Sequence, residues 1–248
     1  MIGQANWTAP PRPLELGPED VHVWSAALDV PSEKLGSLRA LLSPEERARA
    51  DRFLQPHHRV HGAAARGWLR SLLGRYLQAA PQSIEFRFGE HGKPSLAGPH
   101  EHSCLHFNLS HSHGFALFAF ARGRELGVDL EKIRLDRSFE KIAGRFFAPG
   151  ETARLRSVPL ALQPQAFFEC WTRTEAYIKA RGKGLSLPLE SVEVGFGPGV
   201  APSILEARGE PDAAARWALF DLRPFPEFAG ALVVERPAGT VRCWRMEC

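Results

Sequence analysis

Cysteine is scarce in this chain of 248 residues: there are four, at positions 104, 170, 243 and 248, and no two form a C-x-x-C pair. That spacing excludes a disulfide framework and the usual zinc ribbons, and it reads as a chain kept in a reducing cytoplasm. Cys104 and Cys170 lie in apolar segments and read as buried thiols. The closing Cys-Trp-Arg-Met-Glu-Cys has no cysteine fourth from the end, so it is not a prenylation box. Long hydrophobic runs are missing too. The longest, Phe115 to Ala121, falls far short of the roughly 20 residues that span a bilayer, and the first residues lack the basic-then-apolar pattern of a secretory leader. No membrane association is expected. Charge of one sign is also modest: the net value is +3, with no run of five Lys or Arg. That bias suits an anionic substrate or an acidic partner and is too weak to argue for nucleic acid.

Two families of catalytic motif are absent as well. There is no G-x-S-x-G elbow, and Ser110 beside His111 in sequence does not make a triad. Six histidines fall between His91 and His113, but no H-E-x-x-H or paired C-x-x-C accompanies them, so structural or surface roles fit better than zinc.

What is present is an ordinary globular composition, 44% hydrophobic and 24% charged, ample for a sizeable core. Residues 1–18 are Pro-rich and aperiodic and read as an extended tail or strap. Val21 to Ala26 alternates as a strand. Ser43-Pro44-Glu45-Glu46 starts a helix, with Ser43 capping, Pro44 in the first turn and Glu46 completing a capping box. Pro56 interrupts it, and a second helix runs from about His58 to Gln78. Short strands follow at 84–88, 105–109, 115–121 and 126–132, with Ser110 to Gly114 read as a loop. The rest reads as helices near 139–147, 150–157 and 165–179, then strands near 192–194, 217–220, 229–234 and 241–244. Both halves are helices plus antiparallel strands, an α+β class. The expected division is a tail at 1–18, a first lobe at 19–124 and a second at 125–248.

The densest chemistry lies in Leu126-Gly127-Val128-Asp129-Leu130-Glu131-Lys132. Residues two apart on a strand share a face. Asp129 and Glu131 therefore project side by side from an otherwise apolar element. Paired carboxylates suit a hard divalent ion, and they equally suit a solvated strand end. In the helix near 165–179, Glu175 and Lys179 are four apart and stack on one face, the spacing of a surface ion pair.

Three blocks together resemble a known family: Gly127-Val128-Asp129-Leu130-Glu131-Lys132; Phe146-Phe147 followed by Glu151; and Trp171-Thr172 through Glu175-Ala176-Tyr177-Ile178-Lys179 into Gly182-Lys183-Gly184. Gly92-Lys93-Pro94 and Phe107-Asn108-Leu109-Ser110-His111-Ser112 extend the likeness. The chain resembles the 4′-phosphopantetheinyl transferases, in their larger, two-lobed, surfactin-synthetase-activating class. The resemblance covers roughly residues 40–194.

The resemblance implies two pseudo-symmetric lobes, each of helices packed on a small antiparallel sheet, with the active site between them, and a monomer. It implies that coenzyme A binds there and that a serine of an apo acyl or peptidyl carrier protein attacks its β-phosphorus, releasing 3′,5′-ADP. Asp129, Glu131 and Glu175 would hold Mg²⁺, with Mn²⁺ as a substitute. Lys179 would contact the diphosphate, and Glu175 would be the general base, with Asp129 or a bound water as alternatives. Lys93, Pro94, Ser110 and His111 would line the nucleotide pocket, with Arg49, Arg59 and His61 near the 3′-phosphate. Two positions depart from the family pattern. Thr174 stands where a lysine is usual, with Arg173 or Lys183 as possible substitutes, and His61 stands where an arginine is frequent. The departure at Thr174 leaves an alternative, a catalytically weakened coenzyme A binder of the same fold. Exposed apolar and basic residues from Phe139 to Phe147, with Arg145, are the expected docking face for a carrier's acidic helix.

Overall fold

A computed structural model describes residues 7–11, 13–135 and 138–246. The first half runs β1 (Trp7–Thr8), β2 (Val21–Ala27), α1 (Ser32–Ala40), α2 (Pro44–Asp51), α3 (Pro56–Leu77), β3 (Glu85–Phe88), β4 (Pro94–Ala97), β5 (Leu105–Ser112) and β6 (Phe115–Arg122). The second runs β7 (Leu126–Lys132), α4 (Ser138–Phe146), α5 (Pro149–Ser157), α6 (Gln163–Arg181), β8 (Val192–Gly195), β9 (Ser203–Ala207), the short α7 (Ala213–Arg216), β10 (Trp217–Leu222), β11 (Phe228–Glu235) and β12 (Val241–Arg245). The class is α+β, as the alternation of patterns predicts.

Local chemistry sets the helix starts. The Ser43 hydroxyl accepts the Glu46 amide at 3.2 Å, and the Glu46 carboxylate accepts the Ser43 amide at 2.9 Å, the expected capping box. Pro56 opens α3 rather than interrupting a longer helix, because its missing N–H has no partner to lose in the first turn. The segment from α1 carries few apolar residues and buries only Leu38, which is why periodicity does not reveal it.

Two sheets organise the chain. One has the order β1-β12-β2-β6-β5, the other β10-β11-β7, and β3-β4 and β8-β9 are hairpins. The larger sheet is mixed. β12 enters it parallel to both β1 and β2, so the last strand of the chain, placed by position in the second lobe, completes the sheet of the first. The reason is apolar: Trp244 packs on His22 and Trp24 and is buried with the helices of the first half. The N-terminal segment is a strap, with β1 on the outer edge of β12 and Leu16 buried.

Alternation along the strands divides the apolar residues among three cores. Phe118 and Phe120 face α3 with Leu69, Leu72 and Leu73. Leu117, Ala119, Val128, Leu130, Leu232 and Val234 pack between the two sheets. Ala231 and Val233 face α6 with Phe167 and Tyr177. The cores therefore follow a helix–sheet–sheet–helix order. No helix among the described residues is long and apolar enough to cross a membrane.

His22 sits fully buried in the first core, within 2.8 Å of the Tyr76 hydroxyl, which also accepts the Trp24 indole N–H at 2.8 Å. Burial lowers its pKa from 6.5 to about 4, with Asp20 opposing and Arg242 adding to the effect. An unfolded chain then binds more protons than the folded one between these values, so His22 costs stability as pH falls through that window, by about 2–3 kcal/mol at pH 4.5. Urea midpoints at pH 7 and pH 4.5 should show His22→Gln losing less stability on acidification than the parent. Equal losses would refute the assignment.

Candidate active site

The site depends on how closely β7 approaches α6. A Cβ at Gly127 would overlap the Ala176 carbonyl oxygen and the Ala180 amide, and would lie 2.9 Å from the Lys179 carbonyl carbon. Only glycine permits that backbone-to-backbone approach. Alternation then puts Gly127, Asp129 and Glu131 on the α6 side of the strand, opposite Val128 and Leu130.

β5 closes the other side. It lies at the edge of the five-stranded sheet and β7 at the edge of the three-stranded one. Side chains join them: Asn108 Oδ1 accepts the Val128 amide at 2.9 Å, Ser110 donates to Asp129 Oδ1 at 2.8 Å, and Ser112 donates to Glu131 Oε2 at 2.9 Å. The strand runs through Ser112, with the turn at His113-Gly114. Ser110 and His111 thus sit on a rigid strand instead of the loop the sequence suggests. The alternation of 108, 110 and 112 makes the seam possible.

Asp129 is 3% exposed. Its Oδ1 accepts from Lys179 Nζ at 2.6 Å, and Lys179 also reaches the Ser110 hydroxyl at 3.0 Å. Its Oδ2 is buried without a partner. Burial raises the pKa of Glu131, the charge of Asp129 raises it further, and Ser112 opposes. Burial and then Asp129 raise Glu175 likewise, with Lys179 opposing. The Asp129 charge therefore acts on Glu131 along β7 and on Glu175 across the β7–α6 interface. Among the described residues, no three His, Cys, Asp or Glu side chains stand close enough to hold a metal ion as they are. The Lys179 ammonium takes the place of a cation on Asp129 Oδ1. The orphaned Oδ2 and an all-oxygen donor set nevertheless fit a hard divalent ion.

The residues expected at the nucleotide separate into two groups. Arg49 and His111 line a cavity of about 260 Å³ with Glu46, Phe53, Arg66 and Phe88. His111 is exposed at the mouth of this cavity, and desolvation by its neighbours, then the charge of Lys179, lowers its pKa. Arg66 is a residue the sequence reading missed. It lies on α3 while Arg49 lies on α2, and only the packing of those helices unites them. Its Nη1 is buried without a partner, and its Nε is 3.5 Å from Glu46. Arg59 instead donates to the Phe53 and Leu54 carbonyls at 2.6 and 3.4 Å, and His61 pairs with Asp29 at 2.7 Å. Lys93 and Pro94 line a different cavity, with His106 and Glu125, so the structure does not join them to Arg49 and His111.

Other expectations change. Arg173 is fully buried, with its guanidinium on Asp221 at 2.8 and 2.6 Å and on the Gly195 carbonyl. It cannot serve a phosphate. Thr174 is 2% exposed and faces the helical core, and its hydroxyl has no hydrogen-bond partner. A lysine there would enter the core. Lys183 is exposed just past α6. Cys104 is exposed, not buried, while Cys170 is buried beside Glu151. Phe139 and Phe147 both pack on Phe167 inside the core.

Residues 30–122 match the model of the 4′-phosphopantetheinyl transferase N-terminal domain, and residues 125–233 match that of the 4′-phosphopantetheinyl transferase superfamily. The 4′-phosphopantetheinyl transferase HetI of Nostoc sp. is 40% identical over 231 residues, 93% of this chain and 94% of that protein. The chain belongs to the 4′-phosphopantetheinyl transferase superfamily. A putative transferase of Synechocystis, slr0495, is 36% identical over 69% of this chain and 68% of its own. The Bacillus subtilis transferase Sfp is 34% identical over 62% and 66% respectively. In this superfamily member the two matched segments are separated only by Gly123 and Arg124, in the connection between β6 and β7.

Because the site is built on one backbone contact, Gly127→Ala should cost about 2–3 kcal/mol of overpacking strain, or roughly 5–10 °C of melting temperature at this size. A thermal melt within a degree of the parent would contradict the close approach.

Proposed function

We propose that this protein transfers the phosphopantetheine arm of coenzyme A to a serine of an apo acyl or peptidyl carrier protein, dependent on Mg²⁺ with Mn²⁺ as a substitute. The observation that carries the reading is Asp129, buried at the meeting of β5, β7 and α6, with one oxygen on Lys179 and Ser110 and the other unsatisfied.

Asp129, Glu131 and Glu175 would hold the ion. When bound, it neutralises charge on the diphosphate and on the leaving oxygen. The chain's own groups do the rest. Lys179 and the Ser110 hydroxyl, which both donate to Asp129 Oδ1 as the site stands, would turn to a diphosphate oxygen and orient the β-phosphorus. The carrier serine oxygen forms a bond to that phosphorus, the bond to the α-phosphate oxygen breaks, and 3′,5′-ADP leaves with the electron pair. The serine proton passes to Glu175, to which no described residue donates a hydrogen bond, directly or through a water. The cavity holding Arg49 and Arg66 takes the 3′-phosphate, and the orphaned Arg66 Nη1 supplies a charged donor for it.

With Phe139 and Phe147 in the core, Lys141, Arg145 and the half-buried Phe146 remain on α4 to meet an acidic carrier helix. Thr174 gives no support to a weakened binder. Its side chain points into the core, so the missing lysine is not a charge taken from the phosphate site.

Intact-mass spectrometry of an apo carrier mixed with coenzyme A, Mg²⁺ and the protein should show the addition of one phosphopantetheine unit. EDTA should stop the addition, and excess Mg²⁺ should restore it. Asp129→Asn should retain the fold and lower kcat/KM about a hundredfold or more. Unchanged turnover by that variant, or modification in EDTA at the full rate, would overturn the metal assignment.

A further inference from the structure

Lys93 was expected at the nucleotide, yet its ammonium crosses from the first half of the molecule to the second. It donates to Glu125 Oε2 at 2.6 Å, to the Leu126 carbonyl at 3.1 Å and to the Ala180 carbonyl at 3.2 Å. Three acceptors use all three of its protons. They belong to the linker between the halves, the first residue of β7 and the last turn of α6. Ala180 O is among the terminal helix carbonyls that intrahelical bonding leaves free, and a cation is favoured at that end of the dipole.

The surroundings point the same way. Glu125 Oε1 is 3.1 Å from His106 Nδ1 on β5. Burial opposes ionisation of Glu125, but the His106 hydrogen bond and the Lys93 charge override it and bring its pKa down to about 2. It is a carboxylate at any physiological pH. The β3–β4 turn that carries Lys93 also docks through His91, whose Nε2 is 3.2 Å from the Ser186 hydroxyl beyond α6. A Cβ on Gly184 would come within 2.7 Å of His91. Ala180 follows Lys179 directly, and Leu126 is three residues before Asp129. The lysine therefore grips both elements that carry the acids and Lys179, at the start of the strand and in the last turn of the helix.

We propose that Lys93 is a positioning residue, an inter-lobe tie that acts through Glu125 to hold β7 and α6 in register, and not a ligand of the nucleotide. Its kinetic consequence rests on the transferase reading above; its structural consequence does not.

The test compares Lys93→Met, Glu125→Ala and the double variant, each measured at 25 °C as folded protein. Transfer to an apo carrier should show kcat down about five- to tenfold in each single variant, with KM for coenzyme A within twofold. Calorimetric titration with coenzyme A should give affinities within twofold of the parent. The double variant should be no worse than the poorer single one, since both remove one linkage. A tenfold loss of coenzyme A affinity in Lys93→Met with none in Glu125→Ala would overturn the proposal and return Lys93 to the nucleotide. Additive losses in the double variant, or parental kcat in both singles, would overturn it too. Should the parent modify no carrier, the transferase reading fails, while melting temperatures still decide the tie: lowered in each single variant and no lower in the double supports it, and additive or absent shifts refute it.

Discussion

The contact between β7 and α6 at Gly127 is the constraint on which the rest of the site depends. A strand and a helix ordinarily meet through side chains, about 10 Å apart in the manner of stacked layers. Here a glycine on the strand faces Ala176 and Ala180 on the helix, and backbone meets backbone. The consequence is a short reach. Asp129, two residues along the strand, meets Lys179 on the helix at 2.6 Å. With a bulkier residue at 127 the strand would stand off, and one carboxylate of the set would lose contact with the helix that carries the other ionisable groups.

The second constraint is that neither half of the molecule can complete the site alone. The seam between β5 and β7 is made by Asn108, Ser110 and Ser112, each bonded to a different residue of β7. The return of β12 into the first sheet and the bonds of Arg124 to the Asp20 and Pro237 carbonyls, at 2.9 and 2.5 Å, tie the halves again on the far side. Buried polar atoms without partners are rare in such a structure and ask for an explanation. Of the seven among the described residues, two, Asp129 Oδ2 and Arg66 Nη1, lie where the proposed reaction needs a cation and a phosphate.

Local rules made much of this legible in the sequence. The capping box at Ser43, the alternation in 126–132 and the helical spacing of Glu175 and Lys179 all depend on neighbours within a turn or two, and the structure has each of them. What sequence could not reach depends on where elements meet. Gly92-Lys93-Pro94 is a turn in any reading, and only the docking of that turn on α6 shows that its lysine faces Ala180. Arg173 and Thr174 sit beside Glu175 in sequence, but one helical step is 100°, and they face Asp221 and the core instead. The strand expected at 241–244 is β12, Val241–Arg245. Its partner, two hundred residues earlier, is chosen by Trp244 packing on Trp24, which no local pattern encodes.

The charge balance of the cluster explains why Lys179 lies on Asp129 at all. Three acids and one lysine leave two negative charges in a partly buried place, where burial first and the charge of Asp129 second push the pKa values of Glu131 and Glu175 upward. A buried carboxylate without a counter-charge would cost several kcal/mol, so the ammonium on Oδ1 stabilises the site before any ligand arrives. In the proposed reaction Asp129, Glu131 and Glu175 would hold a divalent ion, which would supply the two positive charges the acids lack. Lys179 then has less need of Asp129 and is already beside Ser110, where a diphosphate oxygen would lie. On the proposed reading the same lysine would serve both states: it compensates Asp129 as the site stands, and it would turn to the substrate once the acids had another partner.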